Sequence, residues 1–296
     1  MALIIDGKAI AQEMQEEMRV QVENLKMRGI TPGLAAVLVG DNPASRTYIR
    51  NKEKACERLG IYSDVYRLPA STPEGDLIAL VDELNLRRDI HGILIQLPLP
   101  EHIDENRIIL RVNPEKDVDG FHPVNVGKLV IGKPGFLPCT PLGCKVLLER
   151  SGIETSGKHM VILGRSNIVG KPLANIMLQK EKGANAIVTV CHTAAEDLAY
   201  YTRQADILVA AVGKPNTVTG DMVREGVVVI DVGMNRIEDP DAAGGYKLVG
   251  DVEFESVSRK ASAITPVPGG VGPMTITMLM SNTIKSAISF QLLAKS

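Results

Sequence analysis

The chain has 296 residues, 45% of them hydrophobic, and a formal net charge of −2. That length suits two domains of ordinary size, each able to bury a core. The near-neutral charge gives no general pull toward nucleic acid or an anionic membrane, and no apolar run approaches the roughly 20 residues of a membrane helix. The opening MALIIDGKAI reaches Asp6 after a short apolar run, with no basic leader or small-residue cleavage site, so no signal peptide is expected. Cys56, Cys139, Cys144 and Cys191 are scattered, without C-x-x-C or metal spacing, and read as reduced thiols of a cytoplasmic protein.

In chain order, Ile10, Met14, Met18, Val22 and Leu25 recur once per helical turn and predict a helix over 8–28, stopped by Gly29 and Pro32. Leu34–Val39 is a buried strand closed by Gly40. Asp41-Asn42-Pro43 then supplies a cap and a first-turn proline for a helix ending at Gly60. A strand over 62–68, a helix from Thr72-Pro73-Glu74 to about Asn85 and a buried strand over 92–97 follow. This β-α-β-α-β order argues for a parallel sheet with helices on both faces. Ligands bind such sheets beyond the carboxyl ends of the strands, which puts 40–54 and 96–100 on one rim. Residues 114–125 and 136–143 read as polar, Pro- and Gly-rich loops, and Thr140-Pro141 caps a helix to Arg150. The second half repeats the pattern, with strands near 160–163, 186–190, 206–212, 227–232 and 262–265. Helices are expected over 168–181, 194–203 and 220–225, and a long terminal one over 274–293. The domain change falls near 140, giving a first domain of 1–140 and a second of 141–273, with the terminal helix, 274–296, packing back on the first.

VILGRSNIVGKP, residues 161–172, is a buried strand turning sharply into a helix. It resembles the phosphate-binding turn of a dinucleotide domain, with Ser166 at the usual middle glycine. Any strand–turn–helix corner has similar spacing. After the second strand of this half, Cys191-His192-Thr193 brings no acidic residue to hold a ribose 2′-hydroxyl; with Arg165 near, that favours NADP over NAD.

In the first half Ser45, Tyr48 and Lys52 are spaced to share one face of a helix, set off from the apolar Ala44, Ala55, Cys56 and Leu59. A lysine on such a face is most often only solvated. Gln96, however, breaks the apolar run GILI where a leucine would be expected, so it faces a cleft or needs buried partners. A lysine partly desolvated beside a tyrosine loses proton affinity and becomes able to act as a general acid or base. Asp117 and Asp119 in DVDG suit a turn, or the N–H edge of a heterocycle; a metal is disfavoured because no third ligand has suitable spacing. His91, His102 and His122 show no triad or metal spacing.

Six blocks run in order along the chain: SRTYIRNKEK (45–54), GILIQLPLP (92–100), PEKDVDG (114–120), PCTP (138–141), GRSNIVGKP (164–172) and TPVPGGVGPMT (265–275). Together they resemble the bifunctional methylenetetrahydrofolate dehydrogenase/cyclohydrolase family. The resemblance implies two α/β domains flanking a cleft, an N-terminal parallel-sheet catalytic domain and a Rossmann-like NADP-binding domain. It implies oxidation of 5,10-methylenetetrahydrofolate to 5,10-methenyltetrahydrofolate with NADP, then hydrolysis to 10-formyltetrahydrofolate, in a cytoplasmic homodimer. By the same resemblance Lys52 is the catalytic lysine, Gln96 its positioning partner, Tyr48 the aromatic face for the pterin and Asp119 its carboxylate anchor. Ser45, Leu97, Pro98, Pro268, Gly269 and Gly270 complete the folate side. Thr140, Gly164, Arg165, Ser166, Ile168, Val169, Gly170, His192, Thr193, Gly213, Gly233, Gly270 and Thr275 form the NADP side. No metal, nucleic acid or membrane partner is implied. The residues after His192, Thr193 and two alanines, carry fewer hydroxyl or basic groups than is common in members that clamp the 2′-phosphate. A monofunctional NAD(P)-dependent dehydrogenase, a dehydrogenase of another small substrate, and a folate- or nucleotide-binding protein without catalysis are the competing readings. Lys52 and Gln96 argue against the first, and the rim residues against the second. A formate-activating ligase is excluded, since no G-x-x-x-x-G-K-[ST] loop is present.

Overall fold

The computed structural model describes residues 2–240 and 245–293. Two compact units emerge: Glu13–Cys139 with the chain from Ile276 on, and the chain up to Gln12 with Thr140–Thr275.

The chain opens with β1 (Leu3–Ile4) and α1 (Gly7–Lys26). Asp6 caps α1 by accepting from the backbone N–H of Lys8 and Ala9, both at 3.0 Å. Then β2 (Gly33–Val39), α2 (Pro43–Leu59), β3 (Tyr62–Leu68), α3 (Glu74–Leu86) and β4 (Gly92–Ile95) form a three-stranded parallel sheet in the order β3-β2-β4. Every residue of β2 and β4 is buried, which is why both read as unbroken apolar runs. The Ile93 N–H donates to the Lys116 carbonyl at 2.8 Å, so the 116–118 segment covers the outer edge of β4. The strand order reverses about β2, so the carboxyl ends of β2 and β4 open a crevice between them.

Two helices follow that the sequence pattern did not show, α4 (Glu105–Arg111) and α5 (Pro123–Val130). Both are too short for a clear period. α4 is capped by Asp104; α5 begins at the proline that made 114–125 read as loop throughout, and the His122 ring caps it by accepting from Val124 N–H at 3.1 Å.

In the second unit α6 (Cys139–Arg150) begins inside the stretch expected to be loop. Then come β5 (His159–Leu163), α7 (Gly170–Met177), β6 (Ile187–Cys191), α8 (Leu198–Thr202), β7 (Ile207–Ala210) and β8 (Val228–Asp231). Strands β9 (Asn235–Glu238) and β10 (Tyr246–Val249) form a separate antiparallel pair, also not anticipated. Helix α9 (Phe254–Ser258), β11 (Ala263–Ile264) and α10 (Val271–Leu293) complete the chain. The helices expected over 168–181 and 194–203 are shorter, and 220–225 is only a 3-10 turn, Gly220–Met222. The last residues of the expected terminal helix, 294–296, lie outside the described residues.

The six-stranded sheet is parallel throughout, in the order β1-β11-β8-β7-β5-β6. Its outer strand corrects the expected boundary. Leu3 pairs with Ala263 and Ile4 with Ile264, so the first residues belong to this unit and not with 13–139. The physical reason is an open parallel edge at β11, which a short apolar segment can extend. The order reverses between β5 and β7, and a ligand crevice is expected there.

Candidate active site

Helix α2 carries the first group. The Asn42 side chain accepts from Ala44 and Ser45 N–H, Pro43 sits in the first turn, and Gly60 ends the helix in the left-handed region at φ 72°. Its buried residues are Ser45, Ile49, Ala55, Cys56 and Leu59. Ser45 and the half-buried Lys52 therefore lie on or beside the buried face. That corrects the expectation of a polar trio turned away from it; only Tyr48, 42% exposed, behaves as expected.

The Lys52 Nζ donates to Gln96 Oε1 at 3.0 Å. The Gln96 amide donates to its neighbour's carbonyl, Leu97 O, at 2.8 Å, which fixes which end of the side chain faces the lysine. Leu97 and Pro98 follow on the same rim, joined by a cis peptide bond.

Asp119 completes the cluster. Desolvation lowers the proton affinity of the Lys52 amine, and the Asp119 carboxylate partly restores it. Burial conversely raises the Asp119 carboxyl, against the attraction of Lys52. Burial and the Asp119 charge hold the Cys139 thiol well above its ordinary value, so it stays protonated. Its neighbour Asp117 has a different task. That carboxylate accepts from Phe121 N–H at 3.2 Å, His122 N–H at 2.8 Å and the Asn125 amide at 2.8 Å, and burial lifts it to about 6. The DVDG pair thus divides into a turn anchor, Asp117, and a carboxylate coupled to Lys52, Asp119. A small cavity lined by Ile95, Leu97, Phe121 and both aspartates lies beside them.

The second group surrounds the ends of β5 and β7. Gly164 lies at φ 129°, and a Cβ there would fall 2.2 Å from the Ala211 carbonyl oxygen. A Cβ on Gly170 would fall 2.1 Å from the Gly164 carbonyl oxygen. Only glycine lets strand, turn and helix approach this closely. Ser166, at the missing glycine position, accepts from the N–H of Val169 at 3.1 Å and Gly170 at 3.4 Å, bridging the turn. Arg165 and Ile168 on this turn are exposed. At the end of β6 the half-buried His192 ring accepts from Ala194 N–H at 3.3 Å, and Thr193 is exposed.

Gly213 and Gly233 are joined through two buried aspartates that the sequence reading passed over. Asp251 accepts from Val212, Gly213 and Lys214 N–H and from the Asn235 amide, at 2.6 to 3.0 Å. Asp231, ending β8, accepts from Gly233, Asp251 and Val252 N–H, and burial raises it to about 6. An acid closing the apolar run VVVID was the available signal, the same one that marked Gln96. Thr140 and Thr275 share a hydrogen bond at 2.9 Å. Gly269 accepts from Lys8 N–H at 2.9 Å, while Gly270 packs against Thr265 and Pro266 and leaves no room for a Cβ on Gly7. Pro268, just before them, is exposed. Among the described residues no group of three His, Cys, Asp or Glu side chains is placed to hold a metal, and no helix is long and apolar enough to cross a membrane.

Residues 5–119 match the tetrahydrofolate dehydrogenase/cyclohydrolase catalytic domain, and residues 138–291 match the NAD(P)-binding domain of the same enzymes. The chain belongs to the tetrahydrofolate dehydrogenase/cyclohydrolase family. Among its relatives, the bifunctional protein FolD of Moorella thermoacetica is 59% identical over 97% of this chain and 99% of its own. The crystal structure of the bifunctional FolD of Campylobacter jejuni superposes with a TM-score of 0.92 at 51% identity, covering 98% of this chain and 99% of that one. The Trypanosoma brucei N5,N10-methylenetetrahydrofolate dehydrogenase-cyclohydrolase, solved with NADP cofactor and an inhibitor, gives a TM-score of 0.93 at 40% identity, covering 100% of this chain and 99% of that one. The family assignment matches the expectation from the six sequence blocks.

Proposed function

We propose that this chain oxidises 5,10-methylenetetrahydrofolate to the methenyl form with NADP and hydrolyses that product to 10-formyltetrahydrofolate. The observation that carries the reading is the desolvated Lys52 amine held by Gln96 and coupled to Asp119, in a chain of this family. NADP, when bound, supplies the hydride acceptor. The close-packed turn at Gly164 and Gly170, at the reversal of strand order, is the cradle that fits its pyrophosphate. Ser166, Ile168, Val169, Gly213 and Gly233 shape that rim, with Thr140, Gly270 and Thr275 toward the nicotinamide. Arg165, His192 and Thr193 are assigned to the 2′-phosphate end.

On the folate side Tyr48 offers its ring to the pterin face, and Ser45, Leu97 and Pro98 line the rim, with Pro268, Gly269 and Gly270 assigned to the same substrate. Asp119 accepts from the pterin N–H edge. Lys52 in its neutral form takes a proton from water as the hydroxyl adds to the methenyl carbon. It gives that proton to the ring nitrogen as the C–N bond breaks, while the added hydroxyl loses its own proton to solvent and becomes the formyl carbonyl. Gln96 fixes the direction of the lysine lone pair. Hydride transfer needs no protein acid or base, only two rings held face to face. We also propose a homodimer working in the cytoplasm; the four buried free cysteines favour a reducing compartment.

The test is a spectroscopic assay with 5,10-methylenetetrahydrofolate, run with NADP and separately with NAD. Reduced-cofactor absorbance with NADP, followed by enzymatic decay of the methenyl band, supports both activities. Reduction without enzymatic decay reduces the chain to a dehydrogenase alone. No reduction with either cofactor overturns the reading.

A further inference from the structure

Helix α10 places a buried polar row against the loops that carry Asp119. Asn282, 4% exposed, lies one helical turn before Ser286, which is fully buried. The Asn282 amide donates to the Val118 carbonyl at 2.8 Å and the Leu137 carbonyl at 3.0 Å, and lies 3.7 Å from the Cys139 sulfur. The Cys139 thiol donates to the same Val118 carbonyl at 3.4 Å. The two loops meet at Gly120, whose φ is 75° and where a Cβ would fall 2.6 Å from the Pro138 nitrogen. One side chain therefore clamps both loops at their crossing, on the peptide that joins Val118 to Asp119. Ser286 donates to the His91 and Glu115 carbonyls at 2.6 and 3.0 Å, farther along the chain from Asp119.

We infer that Asn282 is a positioning residue for Asp119: its amide clamps the 118 and 137 carbonyls and so sets where the Asp119 carboxylate stands relative to Lys52. The inference rests on the reading of Lys52 and Asp119 given above. A buried amide with two good acceptors holds its geometry tightly: without it the Leu137 carbonyl loses this donor, and the Val118 carbonyl keeps only the longer, weaker bond from the Cys139 thiol. The titratable groups facing Lys52 are Asp119 and Cys139. Asp119 supports the charged amine, so releasing it removes that support and lowers the proton affinity of Lys52 further.

The experiment compares wild type, Asn282→Ala and Ser286→Ala by competitive amine labelling of Lys52 across pH, with KM for methenyltetrahydrofolate measured alongside. Asn282→Ala is expected to move the Lys52 labelling midpoint down by about half a pH unit or more. KM is expected to rise roughly tenfold, the scale of one lost hydrogen bond. Ser286→Ala is expected to lower the melting temperature while leaving the Lys52 midpoint in place. If Asn282→Ala does not fold, Asn282→Ser, which keeps a single donor, is read the same way. An unmoved midpoint in the folded Asn282 variant, or an equal movement in Ser286→Ala, overturns the inference. Wild-type protein that fails to hydrolyse methenyltetrahydrofolate overturns the functional reading instead, and the labelling comparison still decides the role of Asn282.

Discussion

Gln96 holds Lys52 by its oxygen and not by its nitrogen: the lysine donates to Oε1 at 3.0 Å, while the glutamine's own amide is turned onto the Leu97 carbonyl. A neutral acceptor leaves the amine free to lose its proton, where a carboxylate in the same place would hold it charged. Replacing Gln96 with Glu is therefore expected to raise the Lys52 pKa and shift the rising limb of the hydrolysis pH profile to higher pH. Initial rates of methenyl decay between pH 6 and 10 would check this; an unshifted limb refutes it.

Lys52→Met is expected to reduce hydrolysis by about 10²-fold or more, the usual loss for a removed general acid–base group. NADP binding should persist, since the cofactor turn belongs to the other unit. Methenyl-band decay and cofactor titration on the same preparation separate the two effects.

Gly164→Ala places a methyl group against the Ala211 carbonyl, 2.2 Å from its oxygen, at a backbone angle that side chains rarely adopt. The turn must open, so NADP affinity is expected to fall by roughly tenfold or more. Hydrolysis of supplied methenyltetrahydrofolate should be much less affected. Calorimetric titration with NADP, beside the hydrolysis assay, gives both numbers. Equal losses in both would show that the turn serves overall stability alone.

Lys116 is expected to make stability depend on pH. It is 1% exposed, donates to the Leu84 and Arg87 carbonyls at 2.9 and 2.6 Å, and burial lowers its pKa to about 8. In the unfolded chain an ordinary lysine holds its proton to about 10.4. Between those values the unfolded state binds more protons, so stability rises with pH; below about 8 the full penalty of the buried charge is present. That window corresponds to about 3 kcal/mol. Chemical denaturation from pH 7 to 10 should show the rise, and Lys116→Met should flatten it.

Asp251→Ala strips the anchor from the Val212, Gly213 and Lys214 N–H groups and from Asn235 at once. A cost above about 3 kcal/mol is expected, since several donors are left unpaired. Denaturant titration checks the magnitude, and a loss below 1 kcal/mol would show that water replaces the carboxylate without cost.

Much of this was legible in the sequence where local chemistry and tertiary role agree. The cap at Asn42 and the stop at Gly60 act within one helix, and the fully apolar β2 and β4 advertise burial on both faces. Gln96 stood out because a polar group ending a buried strand needs a reason. What was missed depends on partners distant in sequence. Asp117 and Asp119 look alike in DVDG; only the donors from 121, 122 and 125 tell them apart. Asn282 reads as one more polar residue on a long helix until Val118 and Leu137, over 140 residues away, are seen to meet it. The buried side of α2 was misjudged because Ser45 and Lys52 are polar, and period alone says which residues share a face but not which face is covered.

The pairing of Leu3 with Ala263 has a consequence for synthesis on the ribosome. Strand β1 waits for β11, so the large sheet cannot close this edge until some 260 intervening residues have emerged. The smaller sheet's unit is in the same position, since it takes in the chain from Ile276 on. Neither unit can finish early, and such long-range closure is slow. A chain released before residue 264 leaves an unpaired parallel edge exposed, which makes truncated products the species most prone to associate and to be degraded.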